Sequence, residues 1–169
     1  PHIKGQLKKE GVNWVSLFMV SSGEPVKVRE ISVEITGPGS DDPFFQDAVT
    51  RFPLNNGDIL HHGKYAAGKA KLADVAVARG YFDAEFVLAR VSVHPDKLSA
   101  DVQIRLATGS RYRFGSVFFQ KGPLNEAFLQ RFVPFSAGTP YEAAGILKLR
   151  QNLIQSGYFK SVRIERDPA

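Results

Sequence analysis

Hydrophobic and polar residues alternate with a period of two in two segments of the chain, and in both the alternation slips at one place. The segment from Val26 reads VKVREISVEI, with apolar positions Val26, Val28, Ile31 and Val33. The segment from Tyr112 reads YRFGSVFFQK, with Tyr112, Phe114, Val117 and Phe119 at an offset of 86. A regular strand keeps its period of two, so the shared three-residue step predicts a strand with a bulge or bend. One irregularity present twice argues for one design used twice.

The likeness continues downstream. Each strand is followed by a turn (Gly37, Pro38, Gly39; Gly122, Pro123), then by a short apolar segment ending in Arg-Phe (Arg51, Phe52; Arg131, Phe132). A proline and a glycine then stop that segment, Pro53 and Gly57 in one copy and Pro134 and Gly138 in the other. A longer helix follows. Its apolar stripe is Tyr65, Leu72, Val75 and Ala76, with Ala66 as a further member, and in the second copy Tyr141, Ala144, Leu147, Leu149, Leu153 and Ile154. Both helices stop at Gly-Tyr-Phe: Gly80, Tyr81, Phe82 and Gly157, Tyr158, Phe159. Glycine there suits a left-handed helix cap, with the aromatics packing back on the last turn.

After the first cap the period returns to two. Val87, Ala89, Val91 and Val93 predict one face of a strand, and His94 to Leu98 a turn. Val102, Ile104 and Leu106 alternate with Asp101, Gln103 and Arg105, as in a half-buried second strand. The second copy has Val162 and Ile164 for one strand and nothing for a closing one. At the front, Ile3 to Lys9 and Val12 to Val20 read as a hairpin with Trp14, Ser16, Phe18 and Val20 on one face. The predicted order is ββ, then β-α-α-β-β, then β-α-α-β. We therefore expect an α+β tandem repeat: residues 1–23 the last hairpin of a truncated first unit, 24–109 a complete second, and 110–169 a third lacking its last strand.

Composition narrows the function. The 169 residues contain no cysteine, which excludes disulfides, thiolate metal sites and cysteine nucleophiles. The longest uncharged stretch near the start, Gly11 to Gly23, is too short and too polar to span a bilayer. No initiator methionine or signal-peptide pattern is present, so Pro1 reads as a cut edge. The net charge of +5 is uneven: +2 over residues 1–23, −2 over 24–109 and +5 over 110–169. Arg111, Arg113 and Lys121 cluster near the start of the third unit and form a candidate basic patch toward anionic lipid.

Candidate chemistry is sparse. His61 and His62 are adjacent and lack a carboxylate at helical ligand spacing, so no metal is expected. No serine or acid stands out as a nucleophile beside a base, and no catalytic residue or cofactor site is assigned. Gly37-Pro38-Gly39-Ser40 lacks the lysine and spacing of a phosphate loop. Arg113, Phe114 and Phe119 admit a competing RNA-binding reading, but the matching copy VREISVEI has acids and no aromatics, so the pattern reads as structural and no nucleic-acid partner is expected.

The β-α-α-β-β repeat with Gly-Tyr-Phe helix ends resembles the POTRA modules of the Omp85 outer-membrane superfamily. The wording Gly80-Tyr81-Phe82-Asp83-Ala84-Glu85-Phe86, Tyr112-Arg113-Phe114-Gly115 and Gly157-Tyr158-Phe159 is most similar to the branch that forms the translocation and assembly module. The resemblance implies tandem modules, each a small mixed three-stranded sheet covered on one face by two helices. It further implies a non-enzymatic periplasmic arm joined to an outer-membrane barrel in a Gram-negative bacterium. Its expected partners are extended outer-membrane or autotransporter clients and the inner-membrane protein TamB. Another Omp85 transporter arm, for two-partner secretion or general barrel assembly, is the alternative. In the family the docking edge is the strand after the second helix, here Ala84 through Val93. On that strand we expect Phe86, Leu88 and Arg90 to face outward, with Val87, Ala89 and Val91 toward the core.

Overall fold

The computed structural model describes residues 2–21, 23–120, 122 and 124–165. It opens with β1 (His2–Glu10) and β2 (Asn13–Ser21), an antiparallel pair that turns at Gly11 and Val12. β3 (Lys27–Thr36) leads into α1 (Pro43–Thr50) and α2 (His62–Arg79), followed by β4 (Glu85–His94), a 3-10 turn at Pro95–Lys97 and β5 (Ser99–Ala107). α3 (Glu126–Gln130) and α4 (Ala143–Gln155) follow.

β5 is the middle strand of the order β3-β5-β4, parallel to β3 and antiparallel to β4. The result is a mixed three-stranded sheet with helices on one face. The register of β3 slips between Val28 and Glu30, at the three-residue step visible in the sequence. Beyond the slip Ile31, Val33 and Ile35 stand beside Val102, Ile104 and Leu106, and all turn toward the helices. Phe45 of α1 and Leu72 of α2 fill the layer above, both fully buried. The α2 stripe is Tyr65, Gly68, Leu72, Val75 and Ala76; Ala66 is exposed and lies outside it.

Local signals set the helix ends. Asp42 caps α1 by accepting a hydrogen bond from Phe44 N at 3.1 Å, with Pro43 placed where no N–H is needed. Gly80 ends α2 with φ of 82°, and Tyr81 N returns to Ala76 O at 2.8 Å. In the C-terminal copy Gly157 has φ of 77°, but Tyr158 stays 60% exposed and rests edge-on against Phe128.

The repeat is visible in individual hydrogen bonds. Val28 N donates to Asp58 O at 2.8 Å, Gly57 N to Val28 O at 2.7 Å and Leu60 N to Val26 O at 2.8 Å. Phe114 N, Gly138 N and Tyr141 N do the same toward Thr139 O (2.8 Å), Phe114 O (2.7 Å) and Tyr112 O (2.9 Å). These bonds make Tyr141 the counterpart of Leu60. Tyr141 therefore precedes α4 and does not belong to its stripe; α4 buries Leu149 and Leu153 and leaves Leu147 and Ile154 exposed.

The two strands expected in the C-terminal copy are not regular. Residues 112–119 contain one isolated bridge, Arg113 with Pro140, and residues 161–165 contain no strand. The cause is pairing: β3 leans on β5 along its whole length, and among the described residues nothing stands in β5's place beside 114–119.

Candidate interaction site

β4 is an edge of the sheet, and its pleat decides what it can offer. Lys27 N donates to Leu98 O at 2.9 Å and Thr108 N to Thr36 O at 2.9 Å. Even-numbered residues of β5 thus turn their backbone groups to β3, and odd-numbered ones turn theirs to β4. Arg105, Gln103 and Asp101 stand opposite Leu88, Arg90 and Ser92, whose backbone groups are therefore engaged. Ala89, Val91 and Val93 turn N–H and C=O to the open margin, where among the described residues no strand pairs with them.

The expected outward row Phe86, Leu88, Arg90 is split by a second register slip, between Phe86 and Leu88. Phe86 stands opposite buried Leu106, packs against the core and carries the Lys69 ammonium over its ring at 4.6 Å. Val87, expected in the core, is the bulged residue and is 53% exposed. Past the bulge Leu88 and Arg90 lie beside Arg105 and Gln103 on the face away from the helices, while Ala89 and Val91 lie on the helix side. The sequence reading carried one phase through β4 and missed the bulge; an exposed valine beside a half-buried phenylalanine is its trace.

The opposite edge differs. The start of β3 is covered by its own chain through the bonds of residues 57–60, and Ile31 N donates to Asn56 Oδ1 at 2.9 Å. The polar sheet face carries two ion-pair groups. Arg29 holds Asp101 in a forked pair, His94 Nε2 lies 3.0 Å from the same carboxylate, and Arg105 Nε bonds Glu34 at 2.7 Å. The Arg29 guanidinium, then the His94 ring, hold the Asp101 carboxyl below its usual value.

A second constellation lies where α2 meets the C-terminal residues. Arg79 Nε bonds Asp42 Oδ2 at 3.0 Å and its Nη1 bonds Glu142 Oε1 at 2.6 Å. Burial opposes the Arg79 charge, and the bonds to Asp42 and Glu142 outweigh it, raising its pKa. Arg111 Nε donates to Arg79 O at 2.9 Å and its Nη2 lies 3.5 Å from Glu142. Arg111 is therefore committed to this junction and does not form a free basic patch with Arg113. Arg113 is exposed and bonds Gly138 O at 2.7 Å, and Lys121 lies outside the described residues.

Around this network Phe82 meets Tyr112 and Tyr141 edge-on at 5.3 and 4.9 Å, and Tyr112 N bonds Gly80 O at 2.8 Å. Tyr81 packs into the core, 4% exposed and 5.6 Å from Phe45, and its burial, then the nearby Asp42 charge, raises its hydroxyl pKa. The first Gly-Tyr-Phe is thus both a cap and a joint. Phe114, part of the competing RNA-binding set, is buried at 8% and stacked on Phe135 at 3.8 Å, so its face is not offered to a base. His61 and His62 are exposed at the start of α2, and no helix among the described residues is long and apolar enough to cross a membrane.

A mixed β3-β5-β4 sheet backed by a helix pair, followed by a second copy of its first half, defines the POTRA architecture. A crystal structure of Haemophilus influenzae BamA POTRA domains 3–5 matches 99% of this chain over 65% of that one, with TM-score 0.59 and 17% identity. BamA from Haemophilus ducreyi lacking POTRA domains 1–3 matches 82% of this chain over 26% of that one, with TM-score 0.61 and 12% identity. The chain therefore has the POTRA fold and spans under two thirds of the length of either. No family model matches it.

Proposed function

We propose that this chain is a periplasmic arm of an Omp85-type outer-membrane protein, a non-enzymatic scaffold that captures extended clients by strand addition. In this reading residues 1–23 are the last hairpin of one POTRA unit, 24–109 a complete unit, and 110–169 a further unit without its last strand. The observation that carries it is the open margin of β4, where Ala89, Val91 and Val93 present backbone groups while the start of the β3 edge is covered. Backbone pairing gives sequence-tolerant affinity, which suits a machine with many β-rich clients. Leu88 and Arg90, beside the margin, supply side-chain preference.

The Gly-Tyr-Phe wording favours a TamA-like arm, serving autotransporter clients and connecting to TamB, over a general barrel-assembly arm. Titration with a fluorescent peptide of alternating apolar and polar residues tests the capture step. Ala89→Pro removes an outward donor and should weaken binding at least about tenfold while the far-UV spectrum is kept. Unchanged binding by that folded variant would contradict edge pairing. Leu88→Pro is the wrong probe, because its N–H serves β5.

A further inference from the structure

The hairpin β1–β2 has one face built for burial and nothing on it. Ile3, Leu7, Trp14, Phe18 and Val20 share that face and are each 66–70% exposed. A lone two-stranded hairpin is marginal in water, and an apolar face of this size marks an interaction surface.

Its place in the repeat says what it fits. β2 (13–21) and β5 (99–107) are separated by the same 86 residues that relate the two slipped strands. Trp14, Ser16, Phe18 and Val20 thus correspond to Ala100, Val102, Ile104 and Leu106, the four β5 residues that close the central core. The C-terminal copy needs such a strand. Residues 112–119 have one bridge and no strand partner among the described residues, Phe118 is 84% exposed, and a cavity of about 330 Å³ opens between Gly115–Phe118 and α3.

We propose that the hairpin of one copy docks on residues 112–119 and α3 and α4 of a second copy, head to tail, and completes its sheet. The chain's own hairpin is held away. It joins at the start of β3, whereas residues 110 onward leave from the far end of parallel β5. That separation is roughly 30 Å, and the five residues 22–26 reach at most about 18 Å. The five apolar side chains leave roughly 700 Å² to be covered, near the ~800 Å² per partner of a stable interface. The contact is heterologous, so it propagates into chains or closes into rings. Both ends are basic, +2 and +5, so added salt strengthens it.

Sedimentation velocity over a wide dilution series, read with the emission of Trp14, the only tryptophan, tests the proposal. With rising concentration the mass should at least double and the emission should shift to shorter wavelength. Trp14→Ser with Phe18→Ser should abolish association and leave the central unit folded. Ala89→Pro should associate as before, which separates this contact from client capture. Mixing the double variant with Phe118→Pro should give a two-chain complex and nothing larger. A monomer with water-exposed tryptophan emission at every concentration, or association that survives the double substitution, would overturn it.

Discussion

The central unit and the C-terminal copy share their turns, the strand-to-loop bridge and the positive-φ glycine after the second helix, yet one holds a sheet and the other holds half of one. The bonds of Val28 with Gly57 and Asp58 recur at Phe114 with Gly138 and Thr139, within about 0.1 Å. These features are set by residues close in sequence. What differs is the hairpin: β5 puts Val102, Ile104 and Leu106 under the central helices, and residues 110–165 place no strand under α3 and α4. Local sequence fixes caps and turns, whereas a sheet needs its partner strand.

The sharpest way to break this comparison is through the helix cores. Leu72→Ala, at a fully buried site, should cost about 3 kcal/mol in urea unfolding. Leu153→Ala in α4 should cost about half of that, because the surroundings can collapse where no sheet fixes them. Equal costs would mean that the C-terminal core is already complete.

The N-caps give the next contrast. Asp42→Ala removes a cap and also leaves Arg79 without its buried carboxylate, for about 2–3 kcal/mol. Asn125→Ala in α3 removes only a cap, accepting from Ala127 N at 2.8 Å, for about 1 kcal/mol. Thermal unfolding of the two variants compares them directly.

The helix glycines separate the copies by crowding. A methyl at Gly68 would lie 2.3 Å from the Phe52 ring, so Gly68→Ala should destabilise by about 2 kcal/mol. At Gly145 the nearest atoms, on Phe114 and Phe135, are at 3.0 and 3.1 Å, and the helix propensity gained should bring Gly145→Ala close to zero.

The smallest effect is in acid. Asp101 titrates below its unfolded value, so its stabilising pairing with Arg29 and His94 is present above about pH 4 and is lost as pH falls through the lower folded value. The C-terminal copy has no counterpart to β5 and so none to this group. Asp101→Asn should flatten the acid limb of the urea midpoint plotted against pH; an unchanged limb would assign it to other carboxylates.

Much of the fold was legible because its signals are local. The step from Val28 to Ile31 announced a bulge that the β3 register contains, and Gly80 announced a left-handed cap. The site was less legible for two physical reasons. The bulge at Val87 moves Phe86 to the helix face, and a single strand's alternation does not reveal a slip that the partner strand defines. Arg111 read as surface charge because its partners, the Arg79 carbonyl and Glu142, are about thirty residues away and meet it only in the folded chain. The backbone direction of Ala89, Val91 and Val93 also had to wait for the β5 register.

Amide hydrogen exchange along β4, with and without a saturating extended β-forming peptide, tests strand addition most directly. The account predicts slowed exchange at Ala89, Val91 and Val93, with little change at Leu88, Arg90 and Ser92, already engaged with β5. Binding that leaves those three amides unprotected, or that protects the β3 edge instead, would contradict it.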